Sequence, residues 1–159
     1  KGFTLIELLV VISIIAILVA AATASWRNAQ MKGRDGKRKV DLKAVQQALE
    51  TYLETNGKYP HHTAGGKIQC NSVGDTTFKE WGGPFVCSSI TYMQQLPADP
   101  AYQIPASGYW YYTNPPLASV PTAYVISANL ENTADADIPP KATLPCTPQS
   151  GRNYCVVNP

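Results

Sequence analysis

With 159 residues the chain has room for one domain of ordinary size plus an appendage. Its net charge of +2 is uninformative as a total, but residues 1–59 hold nine Lys/Arg against five Asp/Glu, whereas residues 60–159 hold four against six. No nucleophile–base pair, phosphate loop or paired-carboxylate arrangement stands out, so an enzyme is not expected, and no repeat or low-complexity tract is visible.

All 13 prolines lie at position 60 or later, so the first third permits one long helix. It opens with an apolar run. Between Glu7 and Arg27 no residue carries a charge, and Leu8 to Trp26 as a helix approaches the thickness of a hydrocarbon core. The run continues into helix-compatible sequence without a cleavage pattern, which marks a retained segment rather than a secretory signal. Glu7 at its edge costs a few kcal/mol in a membrane and calls for a partner.

A basic stretch follows, with Arg27, Lys32, Arg34, Lys37, Arg38 and Lys39 against Asp35. It is expected to be a solvated helix face beside the membrane, with Asp35 and Asp41 pairing locally, in preference to a site for nucleic acid or anionic lipid. Gly33 and Gly36 weaken a helix by about 1 kcal/mol each and mark a bend. In the next segment Val45, Ala48, Leu49 and Tyr52 recur at helical spacing, with Val40, Leu42 and Leu53 assigned to the same side. Lys43, Gln46, Gln47, Glu50 and Glu54 mostly face elsewhere. Asn56-Gly57 and Pro60 stop the helix, so the joined element covers 3–56, about 80 Å. No domain of this size buries such a helix along its whole length.

Beyond Gly57 the pattern changes to turns and short strands. His61 to Asp75 reads as an irregular loop, and Glu80 to Ile90 as a turn entering an extended piece. Tyr92 to Pro97 reads as a short helix. The strand candidates are Ser107–Pro116 and Thr122–Glu131, and in the first the aromatic block Tyr109–Tyr112 packs the strand rather than forming a ligand site. The rest is a proline-rich tail. Four cysteines, Cys70, Cys87, Cys146 and Cys155, point to disulfides and an oxidising compartment. Three pairings are open; the short-loop set, Cys70–Cys87 with Cys146–Cys155, is preferred. The spacing does not match a zinc ribbon or finger. His61-His62 reads as polar surface, and Glu131, Asn132, Asp135 and Asp137 are dense enough in oxygen for calcium but lack EF-hand spacing. No metal or other cofactor is expected.

The residues "KGFTLIE" resemble the processing and assembly signature of type IV pilins and type II secretion pseudopilins. "ALETYLETNGKYP" (Ala48–Pro60) resembles a second family signature, and "LPADP" followed by "GYWYY" a third and weaker one. The resemblance implies cleavage after Gly2 by a prepilin peptidase, methylation of Phe3, and pairing of Glu7 with the N-terminal ammonium of Phe3 in a neighbouring subunit. Lys1 and Gly2 are then a leader remnant, the alternative being different processing that leaves the free amine on Lys1; 3–26 is a transmembrane and filament-core helix, 27–56 its amphipathic continuation, and 57–159 a globular head. Many family members carry a glycine and a proline inside the apolar helix; this chain has neither, and Ala20 to Ser25 is its softest stretch. Some pseudopilins bind calcium in the C-terminal part of the head.

The expected fold class is α+β, a long N-terminal spine helix with a small antiparallel head. The expected function is a major pilin, held in the cytoplasmic membrane with its N-terminus on the cytoplasmic side and then polymerised with copies of itself into an extracellular pilus for adhesion, motility or DNA uptake. The basic run after Trp26 opposes that orientation on charge alone; the processing motif outweighs it. The alternatives are a secretion pseudopilin, or a minor tip pilin that receives a surface or DNA ligand. The C-terminal cysteine loop leans toward a pilin, and "LPADP…GYWYY" toward a pseudopilin.

Overall fold

A single helix organises the molecule. In a computed structural model describing residues 2–71, 74–101, 108–114, 120–138 and 152–158, helix α1 spans Leu5–Asn56 without interruption, passing through Gly33 and Gly36. It starts at Thr4, an extended N-cap, and stops at Gly57, whose φ of 69° lets its N–H reach the Leu53 carbonyl at 2.7 Å. The 52 residues correspond to about 78 Å.

The head packs on the second half of α1. Leu42, Val45, Leu49 and Tyr52 are fully buried, Ala48 nearly so, and Leu53 partly. Val40 does not join them and is 66% exposed. Two residues along a helix is a rotation of about 200°, so Val40 and Leu42 cannot share a face. Across from this stripe lie Phe85, Tyr111, Tyr124 and Ile126, all buried. Tyr52 stacks on Phe85 with ring centroids 5.7 Å apart, and Tyr59 meets Tyr124 edge to face at 4.7 Å. Glu50 accepts hydrogen bonds from both Tyr59 and Tyr124 at 2.9 and 2.8 Å, tying helix to sheet.

Among the described residues the strands form three small antiparallel sheets: β1 (His61–His62), β2 (Ile68–Gln69) and β3 (Phe78–Lys79); β4 (Phe85–Cys87) and β5 (Ile90–Met93); and β6 (Trp110–Asn114), β7 (Ala123–Ala128) and β8 (Tyr154–Val157). Three expectations are corrected. The segment 61–75 is not wholly irregular: Thr63 N–H bonds to Lys67 O, and Gly66 turns with φ 71°, so β1 and β2 close a hairpin. The helix expected from Tyr92 is absent, because Tyr92 belongs to β5 and Leu96 spends both backbone groups on Gly82 and Gly83 rather than on a helical turn. The end of the tail is β8, paired to β7 from Val125↔Val157 to Ala128↔Tyr154.

Cys70 and Cys87 are joined, linking β2's end to β4. Cys155 is also disulfide-bonded; its expected partner, Cys146, lies outside the described residues. The turn between β4 and β5 is Ser88-Ser89, with φ of 48° and 68°. Two positive φ values suit the twist of a two-residue hairpin but disfavour residues with a Cβ. Asp75 offsets this by accepting from Ser88 N–H at 2.8 Å and from the Thr77 hydroxyl and N–H, and these bonds hold its pKa at about 2.

Two outcomes are expected from thermal and denaturant melts. Gly66→Ala should destabilise the head by more than about 1 kcal/mol, since a Cβ there would overlap the Trp110 ring at a left-handed φ. Replacing both Cys70 and Cys87 by serine should cost about 3 kcal/mol on chain-entropy grounds.

Candidate functional site

The N-terminal end of α1 carries the first group of residues. Thr4 and Glu7 form a reciprocal capping box: Thr4 N–H and Oγ1 donate to Glu7 Oε2 at 2.8 and 2.7 Å, and Glu7 N–H donates to Thr4 Oγ1 at 3.3 Å. Within one chain, then, Glu7 already has neutral donors and sits where the helix dipole favours a negative charge. Sequence reading missed this use, although Thr-x-x-Glu before an apolar run is its usual signal. Phe3, 94% exposed, lines an open apolar concavity together with Ile6, Glu7, Val10 and Val11. Gly2 is exposed beside it, and Lys1 lies outside the described residues.

From Leu5 to Trp26 every side chain among the described residues is exposed. An 18-residue window has mean hydropathy 3.0 and none of it is buried. Leu5, Ile6 and Ile17 are each at least 70% exposed. Two hydroxyls in this stretch turn back onto the helix, Ser13 to the Leu9 and Val10 carbonyls and Thr23 to the Ala20 carbonyl. By length and composition the rod can cross a membrane.

The third group is ionic and joins helix to head. The buried stripe of α1 runs on past Leu42 to Arg38 and Asp35, which are 3% and 1% exposed. Arg38 binds Asp99 through two parallel bonds of 2.9 and 2.8 Å, and also reaches Asp35 at 2.7 Å and Glu131 at 2.8 Å. Burial alone would lower the Arg38 pKa, but its bonds to Asp99, Glu131 and Asp35 raise it. Asp35 accepts the backbone N–H groups of Glu131 and Asn132 at 2.9 and 2.8 Å. Arg34 makes a forked pair with Glu131, and Lys39 bonds Asp135 and Asp137 at 2.6 and 2.7 Å.

This corrects the expectation of a solvated basic face for Arg34, Arg38 and Lys39, whereas Arg27, Lys32 and Lys37 are exposed as expected; Asp35 does pair locally with Arg38, but inside the protein. Asp41 instead accepts from the Tyr109 hydroxyl at 2.7 Å. Glu131, Asp135 and Asp137, weighed above as calcium ligands, have Arg and Lys partners here. The chain gave one signal for the lattice: Asp35 and Arg38 lie at helical spacing from Leu42. His61 and His62 are not plain surface either; His62 is buried with Nδ1 2.8 Å from the Thr113 hydroxyl. Cys70, Asp75 and Cys87 lie together, but both sulfurs belong to the disulfide.

An apolar rod with an acid at its tip and a disulfide-linked head locked to its other half defines a spine-and-head subunit. Residues 1–23 match the family profile described as the prokaryotic N-terminal methylation motif. The type II secretion system core protein G of Pseudomonas aeruginosa is 32% identical over 112 residues, covering 68% of this chain and 75% of that protein. The type IV major pilin protein PilA of Myxococcus xanthus is 36% identical over 59 residues, 37% of this chain and only 27% of PilA's length. No solved structure matches. The chain belongs to the type IV pilin and type II secretion pseudopilin family.

Arg38→Met should destabilise the head by about 3–5 kcal/mol, since it leaves Asp35 and Asp99 buried without their cation. Acid should act through Glu131. The Arg34 pair, helped by Arg38 against the opposing effect of burial, lowers its pKa to about 2. The stability it lends is complete above the ordinary glutamate range near pH 4–5 and is lost as pH falls toward 2. Circular-dichroism melts from pH 6 to 2.5 should show that loss, and Glu131→Gln should flatten it.

Proposed function

We propose that the chain is the repeating subunit of a type IV pilus, stored in the cytoplasmic membrane through its apolar rod and drawn from there into an extracellular fibre. The observation that carries this is the rod itself: about 20 residues of bare apolar helix have no place in water, and only a bilayer or the rods of other copies can cover them. Processing falls between Gly2 and Phe3, freeing and methylating the Phe3 amine. Glu7 then meets the ammonium of a neighbouring Phe3. An acid entering an apolar fibre core is tolerated when a cation pairs with it, so the pair fixes the axial register of each incoming copy. The cap on Thr4 supports the same mechanism, because it holds the carboxylate at the helix end, and Glu7 and Phe3 line the same concavity.

A second reading, a secretion pseudopilin, is favoured by one observation: the similarity to core protein G covers much more of the chain than the similarity to PilA. Deleting the gene separates the two. Loss of long surface fibres by electron microscopy supports the pilus, and intact fibres with loss of secreted proteins support the pseudopilus.

Docking is tested with two variants. Glu7→Gln keeps a capping side chain and removes the charge, whereas Glu7→Ala removes both. Both should insert into the membrane at normal levels, and both should abolish or greatly slow fibre assembly. Wild-type fibre yield from Glu7→Gln would show that the charge is not what docks the subunit.

A further inference from the structure

The head divides the basic stretch of α1 into two sets. Arg34, Arg38 and Lys39 are paired with carboxylates of the head and, for Arg38, with Asp35. Arg27, Lys32 and Lys37 are exposed. All 11 Asp and Glu residues of the chain are among the described residues, and none of them pairs with these three. Asp35, the acid nearest to them in sequence, is turned into the head and is only 1% exposed.

Water can solvate exposed cations, so exposure alone selects no partner. Their height on the helix does. Leu8 to Trp26 measures about 28 Å against about 30 Å of hydrocarbon, so a bilayer that covers the rod puts Trp26 at its head-side boundary. Tryptophan rings favour that boundary, and Trp26 is 67% exposed. Arg27 follows at once, Lys32 stands about 9 Å beyond Trp26, and Lys37 about 16 Å. The head-group layer is about 5–8 Å deep on each side. Helix side chains lean toward the N-terminus, which here is back toward the bilayer. Arg27 therefore falls within the phosphate layer and Lys32 reaches it, while Lys37 acts from within about one Debye length.

Their directions select further. Each step of five residues turns the helix by about 140° beyond a full turn, so the three cations are spread around the rod. A protein or a nucleic acid lying along one side would meet them one at a time. A lipid layer encircles the helix and meets them together.

We propose that Arg27, Lys32 and Lys37 form a collar that gathers anionic phospholipids around the rod on the head side of the membrane. The lipid it selects carries a net negative head group such as phosphatidylglycerol, rather than one whose phosphate is offset by its own cation, such as phosphatidylcholine. The inference rests on the membrane storage of the rod given under the proposed function, and holds for a pilus or a pseudopilus.

The test reconstitutes the full chain into phosphatidylcholine bilayers holding an equal minor share of either brominated phosphatidylglycerol or brominated phosphatidylcholine. Quenching of Trp26 fluorescence reports the lipids beside it, and a Trp26→Phe chain supplies the background from the head. The anionic lipid should be enriched around Trp26 at least about threefold over the zwitterionic one. Arg27→Gln, Lys32→Gln and Lys37→Gln together should abolish the excess and leave the thermal melt of the head unchanged. Equal quenching by both lipids would overturn the collar and leave membrane storage standing. An excess that survives the three substitutions would overturn it too. No quenching by either lipid would overturn both the collar and the storage on which it rests.

Discussion

The guanidinium of Arg38 decides where the head ends and the rod begins. Its position on α1 continues the stripe of Leu42, Val45 and Leu49, so the head must cover it, and a covered cation needs a full set of acceptors. Three carboxylates provide them, and each comes from a different part of the chain: Asp35 from the helix, Asp99 from the segment after β5, and Glu131 from the loop after β7. Removing any one leaves an Arg38 N–H without its acceptor, so the lattice specifies one way of seating the head. The apolar core below it gives adhesion, and the ionic core above gives register.

The two halves of α1 therefore obey different rules. From Asp35 to Tyr52 the helix is amphipathic and its buried stripe is satisfied within the chain. From Leu8 to Trp26 it carries no charge, and its apolar side chains have no cover within the described residues. A helix of the second kind belongs in a membrane or in a bundle. The capping box and the inward-turned hydroxyls of Ser13 and Thr23 keep its polar groups occupied on the way between those two surroundings.

The broad plan was legible because its signals are long and periodic. The proline-free run, the apolar stretch, the spacing of Val45, Ala48, Leu49 and Tyr52, and Asn56-Gly57 together give the helix and its stop. The two aromatic strands were visible for the same reason. What failed to show was set by tertiary structure. Strands of two residues such as β1 and β2 have no period to detect. The Ser88-Ser89 turn uses residues that do not announce positive φ, and it exists because Asp75, thirteen residues away, holds it. Arg38 was read as solvated with the rest of the basic run because its acceptors, Asp99 and Glu131, are 61 and 93 residues further along. Val40 was misplaced by counting hydrophobicity without angle.

Because the head grips α1 only from about Arg34 onward, the remaining stretch back to Leu5 projects as a cantilever about 43 Å long. Gly33 stands at the clamp, exposed and with no neighbour against the face where a side chain would lie. A swing of about 10° at that point displaces the free tip by about 7 Å, more than one helical turn. A lever of these proportions would turn a slight bend at the clamp into a large displacement of the tip.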